Sequence, residues 1–341
     1  MAITIKEVAK LAGVSPSTVS RTCNNNPKIS EKTKEKVRKA MKELGYTPNF
    51  QASNLVTKNS KTIGVVLPIM EKNTYQNTFF LEVIHGLSQC CNNNGYMNTI
   101  ISGNSNEELF ETITSVVKSG KADGFILMYS KSNDPVVKYL EENRFPYAII
   151  GKPASKENST IYVDNDNITA GKDAASYLIK LGHDRIAFYY NKGHRVFVQD
   201  RKLGYISALN DNSIPFDEKL VIEEKTIAGN EEQFFKGLFS LPNPPTAIIA
   251  IDDITALNLE KIFLGIGIKV PEDISIICFN NSIITRLTTP QLTCVDINNY
   301  QLGFQVCDQI IKHLQSPDVM ANKIIVPHTI VERESCKKRG Q

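Results

Sequence analysis

Short apolar segments alternate with helix-length segments through most of the chain that follows Lys61, and this alternation restricts the fold more than any other feature. The apolar segments cover residues 62–67, 96–101, 124–128, 147–150, 161–163, 185–190, 220–222, 246–251 and 274–278. Strands that alternate with helices form parallel sheets, because each crossover helix returns the chain to the same edge. The pattern therefore predicts a two-lobed α/β core built of two doubly wound parallel sheets.

Polar side chains follow two of these predicted strands. Asp252 and Asp253 come directly after residues 246–251, and Asn280 and Asn281 follow Phe279. Ligands bind to doubly wound sheets beyond the carboxyl ends of the strands. Because carboxylate and amide groups can form several hydrogen bonds to a polar ligand, these four residues are candidates for contact with a small molecule.

The N-terminal residues have the pattern of two short helices joined by a turn. Apolar residues recur at i, i+3, i+4 and i+7 within residues 5–12, and Gly13 supplies the backbone freedom for a turn. Ser15 suits the N-cap of a second helix and Pro16 suits its first position, and this helix would end near Asn24. The spacing predicts an all-α helix-turn-helix domain, although an ordinary helical hairpin would give the same pattern.

The outward side of the predicted second helix carries small polar and basic side chains: Ser17, Thr18, Ser20, Arg21 and Asn25. Arg can pair with guanine in the DNA major groove, and Ser and Thr can reach base edges or phosphates. The N-terminus of the helix also favours the phosphate backbone. These residues are therefore candidates for DNA contact, with a solvated helix face as the alternative.

A third helix is predicted after Ser30, which suits its N-cap. An apolar stripe runs through residues 37–44, and Gly45 stands where helices commonly end in the left-handed conformation. We expect Tyr46 to pack over the core that the three helices share. Residues 47–55 begin with a capping pattern but are too few to form a stable helix alone.

Positive charge is concentrated at the N-terminus. Residues 1–60 contain eleven Lys and Arg against four Glu, a net charge of +7, whereas the rest of the chain carries a net charge of −4. DNA binding requires such a concentration, because basic side chains neutralise phosphates and release counterions. A solvated Lys-rich helix is the alternative, and the separation of charge favours DNA.

Several classes of protein are disfavoured by the sequence. The five His residues show no metal-ligand spacing, no Gly-x-Ser-x-Gly sequence occurs, and no Gly-rich phosphate loop follows the first predicted strand. The seven Cys residues lack a Cys-x-x-Cys pair, and we interpret them as reduced, buried apolar residues. We therefore expect no enzyme, no cofactor and no metal. Without a signal peptide or an apolar membrane span, the expected location is cytoplasmic.

Longer motifs in the chain resemble those of a known family. They cover residues 6–21, 24–27, 30–37 and 44–49 near the N-terminus and residues 163–165, 181–186, 201–205, 269–275 and 288–293 in the core. Together they resemble the lactose-repressor/galactose-repressor (LacI/GalR) family of transcription factors, and most of all its maltose-operon repressors from Gram-positive bacteria. The resemblance implies a core like that of the periplasmic sugar-binding proteins.

The resemblance also implies a function. It indicates a homodimeric repressor that binds palindromic double-stranded operator DNA and is released by a small-molecule sugar, here maltose or a maltodextrin. The short polar C-terminus lacks the leucine heptad of the family's tetramers, which favours a dimer. Two alternatives stay open. One is a family regulator that needs a corepressor, such as a purine, a phosphosugar or a phosphoprotein; the other is a sugar-binding protein without a DNA function.

Four structural parts with defined boundaries follow from the same resemblance. They are a helix-turn-helix DNA-binding domain (1–46), a hinge helix and linker (47–60), a first lobe of the effector-binding core (61–160 with 291–323) and a second lobe (161–290 with 324–341).

The hinge helix of the family inserts a leucine into the minor groove, and Leu55 occupies that position here. Ser53 and Asn54 stand where family members commonly have an Arg, so one minor-groove contact differs. The complete set of expected DNA-contacting residues is Thr4, Ser15, Pro16, Ser17, Thr18, Ser20, Arg21, Asn24, Asn25, Lys28, Ser30, Tyr46, Asn49, Ala52, Asn54 and Leu55.

Three further effector contacts are implied by the resemblance. Arg201 occupies the position of the family's effector-contacting arginine, and Phe80 lies where the family places an aromatic residue at the cleft. Lys152 belongs to a Gly-Lys-Pro sequence like that of the maltose-operon repressors. Many relatives have two Asp after the residue equivalent to Phe279, and the two Asn here favour a neutral sugar. The complete set of expected effector contacts is Phe80, Lys152, Arg201, Asp252, Asp253, Asn280 and Asn281.

Overall fold

The structure is a computed structural model that describes residues 3–23, 25–46, 59–69, 77–191, 195–318 and 320–340. Contacts between residues separate the chain into two compact units, Met1–Ser60 and Lys61–Gln341. In its described part, the first unit forms helices α1 (Ile5–Ala12), α2 (Pro16–Cys23) and α3 (Glu31–Leu44).

One small apolar core holds the first unit together. It consists of Val8, Ala9, Ala12, Val19, Val37 and Ala40. The half-buried Cys23 and Tyr46 pack against it. The apolar stripes predicted for the first and third helices therefore meet in one core, which confirms the helix-turn-helix domain.

Each helix of the first unit begins with a local stabilising hydrogen bond. The backbone N–H of Thr4 donates to Glu7 Oε2 at 2.7 Å before α1. The Oγ atoms of Ser15 and Ser30 each accept from the backbone N–H three residues later, at 3.2 and 3.3 Å. Such bonds matter for short helices, because the first N–H groups of a helix have no partner within it.

The second unit alternates strands with helices as predicted. Its strands are β1 (Thr62–Val66), β2 (Met97–Ile101), β3 (Gly124–Leu127), β4 (Tyr147–Ile150), β5 (Ile161–Asn165), β6 (Ile186–Tyr190), β7 (Val221–Glu223), β8 (Ala247–Ala250), β9 (Ser275–Phe279), β10 (Thr293–Asp296), β11 (Lys323–Val326) and β12 (Thr329–Val331). Its helices are α4 (Thr78–Asn93), α5 (Asn106–Lys118), α6 (Pro135–Glu142), α7 (Asn167–Lys180), α8 (Val196–Asp211), α9 (Glu224–Ile227), α10 (Glu231–Phe239), α11 (Asp253–Ile266), α12 (Ile284–Leu287) and α13 (Asn299–Gln315). Within the described ranges, no helix has both the length and the apolar character needed to cross a membrane.

The strands form two sheets, and each sheet with its helices is one lobe. The first sheet has the order β11-β5-β4-β3-β1-β2, and its neighbouring strands are parallel. The second has the order β12-β10-β9-β8-β6-β7 and is parallel except for β12, which pairs antiparallel with β10. The two-lobed α/β core is therefore confirmed, with one antiparallel edge strand that the alternation did not predict.

The chain crosses between the lobes a few residues later than the sequence boundaries placed the crossings. The boundaries at 160/161 and 323/324 assigned β5 and most of β11 to the second lobe, but both strands pair in the first sheet. The boundary at 290/291 assigned β10 to the first lobe, but it pairs with β9 in the second sheet. A strand belongs to the sheet whose ladder it joins, and a buried apolar segment suits either sheet equally well.

The side chain of Asn165 connects the three segments in which the chain passes between the lobes. Its Nδ2 donates to the carbonyl oxygens of Ile297 and Val326, each at 2.9 Å. Nearby, Asn298 Nδ2 donates to the Pro327 carbonyl oxygen at 2.7 Å. One buried amide therefore joins the ends of β5, β10 and β11, where the polypeptide passes from one lobe to the other.

Two glycines allow helices α7 and α8 to pack with their backbones in close contact. A Cβ atom on Gly171 would lie 2.2 Å from the carbonyl oxygen of Arg201, and one on Gly204 would lie 2.0 Å from that of Ile168. Neither position has room for a methyl group. This close approach determines where α8, and Arg201 with it, lies relative to α7.

Candidate functional site

A cavity of about 190 Å³ lies at the carboxyl ends of strands from both sheets. Its wall includes Ile150 and Asp164 from the first lobe and Ile251 and Asn280 from the second. Strand ends of two lobes that meet at one cavity form the kind of cleft that doubly wound folds use for ligands.

Arg201 is buried in the wall of this cavity and is held on two sides. Its Nε donates to Asn167 Oδ1 at 3.0 Å, and its Nη1 donates to the Ile251 carbonyl oxygen at 2.9 Å. The guanidinium carbon lies 3.9 Å from the ring centroid of Phe279 and 5.0 Å from that of Phe197. Nη2 makes no hydrogen bond to a residue in the described ranges.

The charge of Arg201 is retained despite its burial. Desolvation lowers the pKa of Arg201 to about 10, and the charges of Asp164 and Asp252 oppose this shift. The guanidinium therefore stays positive at neutral pH. A buried cation at a cavity wall can donate charge-assisted hydrogen bonds, which are stronger than bonds between neutral groups.

Asp164 is a half-buried carboxylate at the end of β5 and lines the same cavity. Asn167 Nδ2 donates to Asp164 Oδ1 at 3.2 Å, so a single Asn side chain contacts both Asp164 and Arg201. Desolvation raises the pKa of Asp164 to about 6; the backbone N–H of Asn165 and the charge of Arg201 oppose the rise, and Asp200 adds to it. This carboxyl group therefore titrates close to neutral pH.

Asp252 and Asn280 lie at strand ends of the second lobe and line the cavity. Asp252 caps α11, because its Oδ1 accepts from the backbone N–H of Thr255 at 2.7 Å, and its Oδ2 accepts from Asn191 Nδ2 at 3.4 Å. Asn280 is buried with a φ of 72°, a left-handed conformation that Asn adopts more readily than most residues. Part of the hydrogen-bonding capacity of Asp252 is thus used by the helix.

Phe80 and Lys152 line the cavity from the first lobe. Phe80 meets Phe79 edge to face at the start of α4, with the ring centroids 5.4 Å apart. Lys152 follows β4, and its Nζ lies 3.7 Å from Glu157 Oε2. The aromatic wall suits the C–H face of a sugar ring, while the charge of Lys152 is partly balanced by Glu157.

Asp253 and Asn281 do not line the cavity, although the sequence placed both among the effector contacts. Asp253 is fully buried at the start of α11, where its Oδ1 accepts from the backbone N–H of Ile254 at 2.9 Å and burial raises its pKa. Asn281 donates to Asp296 Oδ2 at 2.9 Å and accepts from Arg333 Nη2 at 2.6 Å. The pairs Asp-Asp and Asn-Asn looked equivalent in sequence, but adjacent residues after a strand point in different directions.

Several polar or aromatic residues of the cavity were not predicted from the sequence. Asp164, Asn167 and Phe197 are among them. Asp164 belongs to the Val-Asp-Asn motif at residues 163–165, one of the motifs that carry the family resemblance. Its position at the end of a predicted strand was the available signal. Asn167 and Phe197 lie in the first turns of helices, where sequence patterns do not separate cavity residues from caps or core.

The predicted recognition helix α2 exposes most of the side chains expected to contact DNA. Ser17, Ser20 and Arg21 are exposed, whereas Thr18 is half-buried. Ser15 Oγ lies 2.8 Å from Ser17 Oγ and 2.9 Å from Thr18 Oγ1. The hydroxyl groups are therefore clustered at the helix N-terminus, beside the exposed Pro16.

The other described candidates surround this helix within the first unit. Thr4, Asn25, Lys28 and Ser30 are exposed, and Tyr46 is half-buried against the core. Arg38 Nη2 on α3 donates to Asn25 Oδ1 at 3.1 Å. The remaining candidates lie outside the described residues; they are Asn24, Asn49, Ala52, Asn54 and Leu55. The expected hinge helix also lies outside the described residues.

Comparisons with known proteins match both units. Residues 4–49 match the model of bacterial regulatory proteins of the lacI family, and residues 175–336 match a periplasmic binding protein-like domain. The HTH-type transcriptional regulator MalR of Streptococcus pneumoniae is 36% identical over 340 residues, which cover 98% of this chain and all of the relative.

Two solved structures are similar across most of the chain. The probable maltose operon transcriptional repressor malR of Staphylococcus aureus is 29% identical, with a TM-score of 0.76 over 84% of this chain and all of that structure. The complex of the transcriptional regulator CelR with cellobiose is 26% identical, with a TM-score of 0.74 over 98% of this chain and 99% of that structure.

Proposed function

The chain belongs to the LacI family of bacterial regulatory proteins and is a DNA-binding transcriptional regulator rather than an enzyme, and we propose that it represses maltose or maltodextrin utilisation genes until a sugar releases it. The similarity to a probable maltose operon repressor supports maltose, and the cellobiose complex of CelR supports a sugar as the effector class. Binding to chromosomal operators also implies a cytoplasmic location.

The observation that carries the proposal is the buried Arg201 at the cavity. Its guanidinium is held by Asn167 and Ile251, and Nη2 has no hydrogen-bond partner within the described ranges, so we propose that it donates to the ligand. Sugar hydroxyls accept such donors, and the rings of Phe79 and Phe80 offer an apolar wall for the opposite side of the sugar. A preformed pocket of this kind favours binding, because little conformational freedom is lost when the sugar enters.

The DNA-binding unit is proposed to read an operator through α2. The exposed Arg21 is placed to contact a base or a phosphate in the major groove, and the Ser15 and Ser17 hydroxyls suit the phosphate backbone. Leu55, outside the described residues, is proposed to enter the minor groove as a wedge.

A homodimer is proposed because a single helix-turn-helix reads only one half of a palindrome. Exposed apolar side chains support this assembly: Leu264 on α11 is 81% exposed and Leu287 on α12 is 73% exposed. Such residues are costly to leave in water and suit burial against a second copy. We expect Leu264→Glu with Leu287→Glu to give a monomer by light scattering, while Leu241→Glu, at another exposed apolar position, leaves a dimer.

Effector control is proposed to act through movement of the lobes. Phe80 belongs to the first lobe and Arg201 to the second, so a sugar that contacts both favours one arrangement of the lobes. Lys61 connects the first lobe directly to the DNA-binding unit along the chain. A coupling free energy of about 1–3 kcal/mol would change operator affinity roughly 5- to 150-fold.

Fluorescence anisotropy tests this proposal directly. The full-length protein is titrated onto duplex DNA from upstream of its own gene at fixed salt, with and without maltose or maltotriose. We expect tight binding that either sugar weakens. Operator binding that no neutral sugar changes would contradict the sugar-released mechanism, and equal affinity for unrelated DNA would contradict sequence-specific repression.

A further inference from the structure

An acidic side chain lies in the same cavity as the effector-contacting arginine. Asp164 comes from the first lobe and Arg201 from the second, and the side chain of Asn167 contacts both, at 3.2 and 3.0 Å. The three side chains form a continuous polar row from one lobe to the other. A ligand that contacts Arg201 therefore enters the field of a carboxylate as well.

The other charged groups around this row are of both signs, because Lys152 and Arg195 line the cavity together with Asp252. Asp200 on α8 and Asp252 before α11 act on Asp164 and Arg201 respectively, and both add negative charge. Lys152 contributes its backbone N–H to Asp164, while its ammonium group faces Glu157 at 3.7 Å. Asp164 and Asp252 nevertheless act on Arg201 with opposite charge within its own surroundings.

We propose that Asp164 makes the effector site select uncharged sugars over anionic ones, an inference that rests on the proposed sugar-responsive function. Arg201, with Lys152 and Arg195 in the same lining, would attract a carboxylate or phosphate. Asp164 opposes this attraction, because like charges repel strongly where water is partly excluded. A neutral sugar suffers no such repulsion, and its hydroxyl groups can donate to the Asp164 carboxylate. Discrimination by a repulsive group is a common source of specificity.

This selectivity depends on pH. Because burial raises the pKa of Asp164 to about 6, the carboxylate is ionised at pH 7.5 and mostly protonated at pH 5.0. Protonation removes the negative charge that rejects anions. The preference for a neutral sugar should therefore weaken in acid. Burial also raises the pKa of Asp200, so the contribution of Asp164 is obtained from the difference between wild type and an Asp164 variant.

The test compares maltose with maltobionate. Maltobionate is the carboxylate form of the aldonic acid of maltose, and it stays anionic from pH 5.0 to 7.5. Calorimetric titrations of the full-length protein give both affinities at the two pH values. The variant Asp164→Asn removes the charge and keeps the shape. The control Asp211→Asn removes an exposed carboxylate at the far end of α8, which pairs with Lys172 at 2.6 Å.

We expect wild type and Asp211→Asn to prefer maltose over maltobionate by roughly tenfold or more at pH 7.5, with a smaller preference at pH 5.0. Asp164→Asn should show a reduced preference that changes less with pH. An unchanged preference in Asp164→Asn, or tighter binding of maltobionate by wild type, would overturn the inference and leave the repressor function standing. Binding of neither compound, with operator binding intact, would instead overturn the proposed maltose effector and this inference with it.

Discussion

The guanidinium carbon of Arg201 lies 3.9 Å from the ring centroid of Phe279. This stacking fixes the plane of the guanidinium, and the bonds to Asn167 and Ile251 fix its rotation within that plane. The arginine is therefore oriented before any ligand arrives, so that a sugar meets donors that need no rearrangement.

Replacing Arg201 by lysine should separate its geometry from its charge. Arg201→Lys keeps a cation but cannot both stack on Phe279 and form the two fixed hydrogen bonds. We expect sugar affinity to fall roughly 10- to 100-fold, equivalent to about 1.4–3 kcal/mol. Operator affinity without sugar should stay within about twofold. Calorimetry and anisotropy at matched salt measure the two quantities, and Lys172→Arg on the surface of α7 serves as the control. Parallel loss of both would indicate that Arg201 maintains the fold instead.

The contact between α7 and α8 predicts a distant effect on the effector site. Gly171→Ala places a methyl group 2.2 Å from the carbonyl oxygen of Arg201, so the helices must separate. We expect the free energy of unfolding to fall by about 1–3 kcal/mol and sugar affinity to fall with it. Gly237→Ala is the matched control, because nothing lies within 4 Å of the added atom and the position is helical. Urea denaturation should show that it is neutral or slightly stabilising.

The raised pKa of Asp164 leads us to expect that the stability of the protein changes with pH. Its pKa is raised in the folded state to about 6 from 3.8, so its ionisation opposes folding above pH 6 and has no effect below about pH 4. Asp164→Asn should therefore raise the free energy of unfolding at pH 7.5 by roughly 1–2 kcal/mol, a value reduced for partial exposure. The gain should disappear as the pH falls towards 4. Urea denaturation from pH 4 to 7.5 measures this, and a gain that is constant with pH would contradict the assigned cause.

We expect substitution of Arg21 to weaken DNA binding without affecting the rest of the protein. The side chain is exposed on α2, whose packing depends on Val19 and other core residues. Arg21→Ala should weaken operator binding at least roughly tenfold without changing the melting temperature or sugar affinity. Anisotropy at several salt concentrations separates two roles: loss of a phosphate contact lowers the salt slope by about one, whereas loss of a base contact relaxes specificity at one position. Lys225→Ala, an exposed position in the second unit, should leave affinity unchanged.

Periodicity predicted the elements of the fold better than their assignment to sheets. The stripe in residues 5–12 and the strand at 161–163 both appear where expected. The sheet that β5 joins depends on ladder pairing with β4 and with β11, whose Lys323 pairs with Tyr162 although the two residues are far apart in the sequence. Local sequence carries no record of such a pairing, since an apolar strand buried on both faces suits either sheet.

In the candidate site, too, the sequence predicted some residues correctly and missed those that depend on the three-dimensional structure. The position of Arg201 came from a family motif, and strand ends gave Asp252 and Asn280, which line the cavity. The directions of Asp253 and Asn281 depend on backbone angles after the strand and could not be obtained from residue type. Asp164 was missed because a carboxylate at a strand end commonly serves as a cap, and only the three-dimensional structure places it beside Arg201.

A thermodynamic cycle tests most directly whether the sugar cleft controls DNA binding. The operator Kd is measured with and without saturating maltose, and the maltose Kd is measured with and without saturating operator. Linkage requires the same factor in both comparisons. We expect each ligand to weaken binding of the other by an equal factor, roughly 5- to 150-fold. Equal affinity of maltose for the free protein and for the operator complex would contradict control of DNA binding by the sugar cleft.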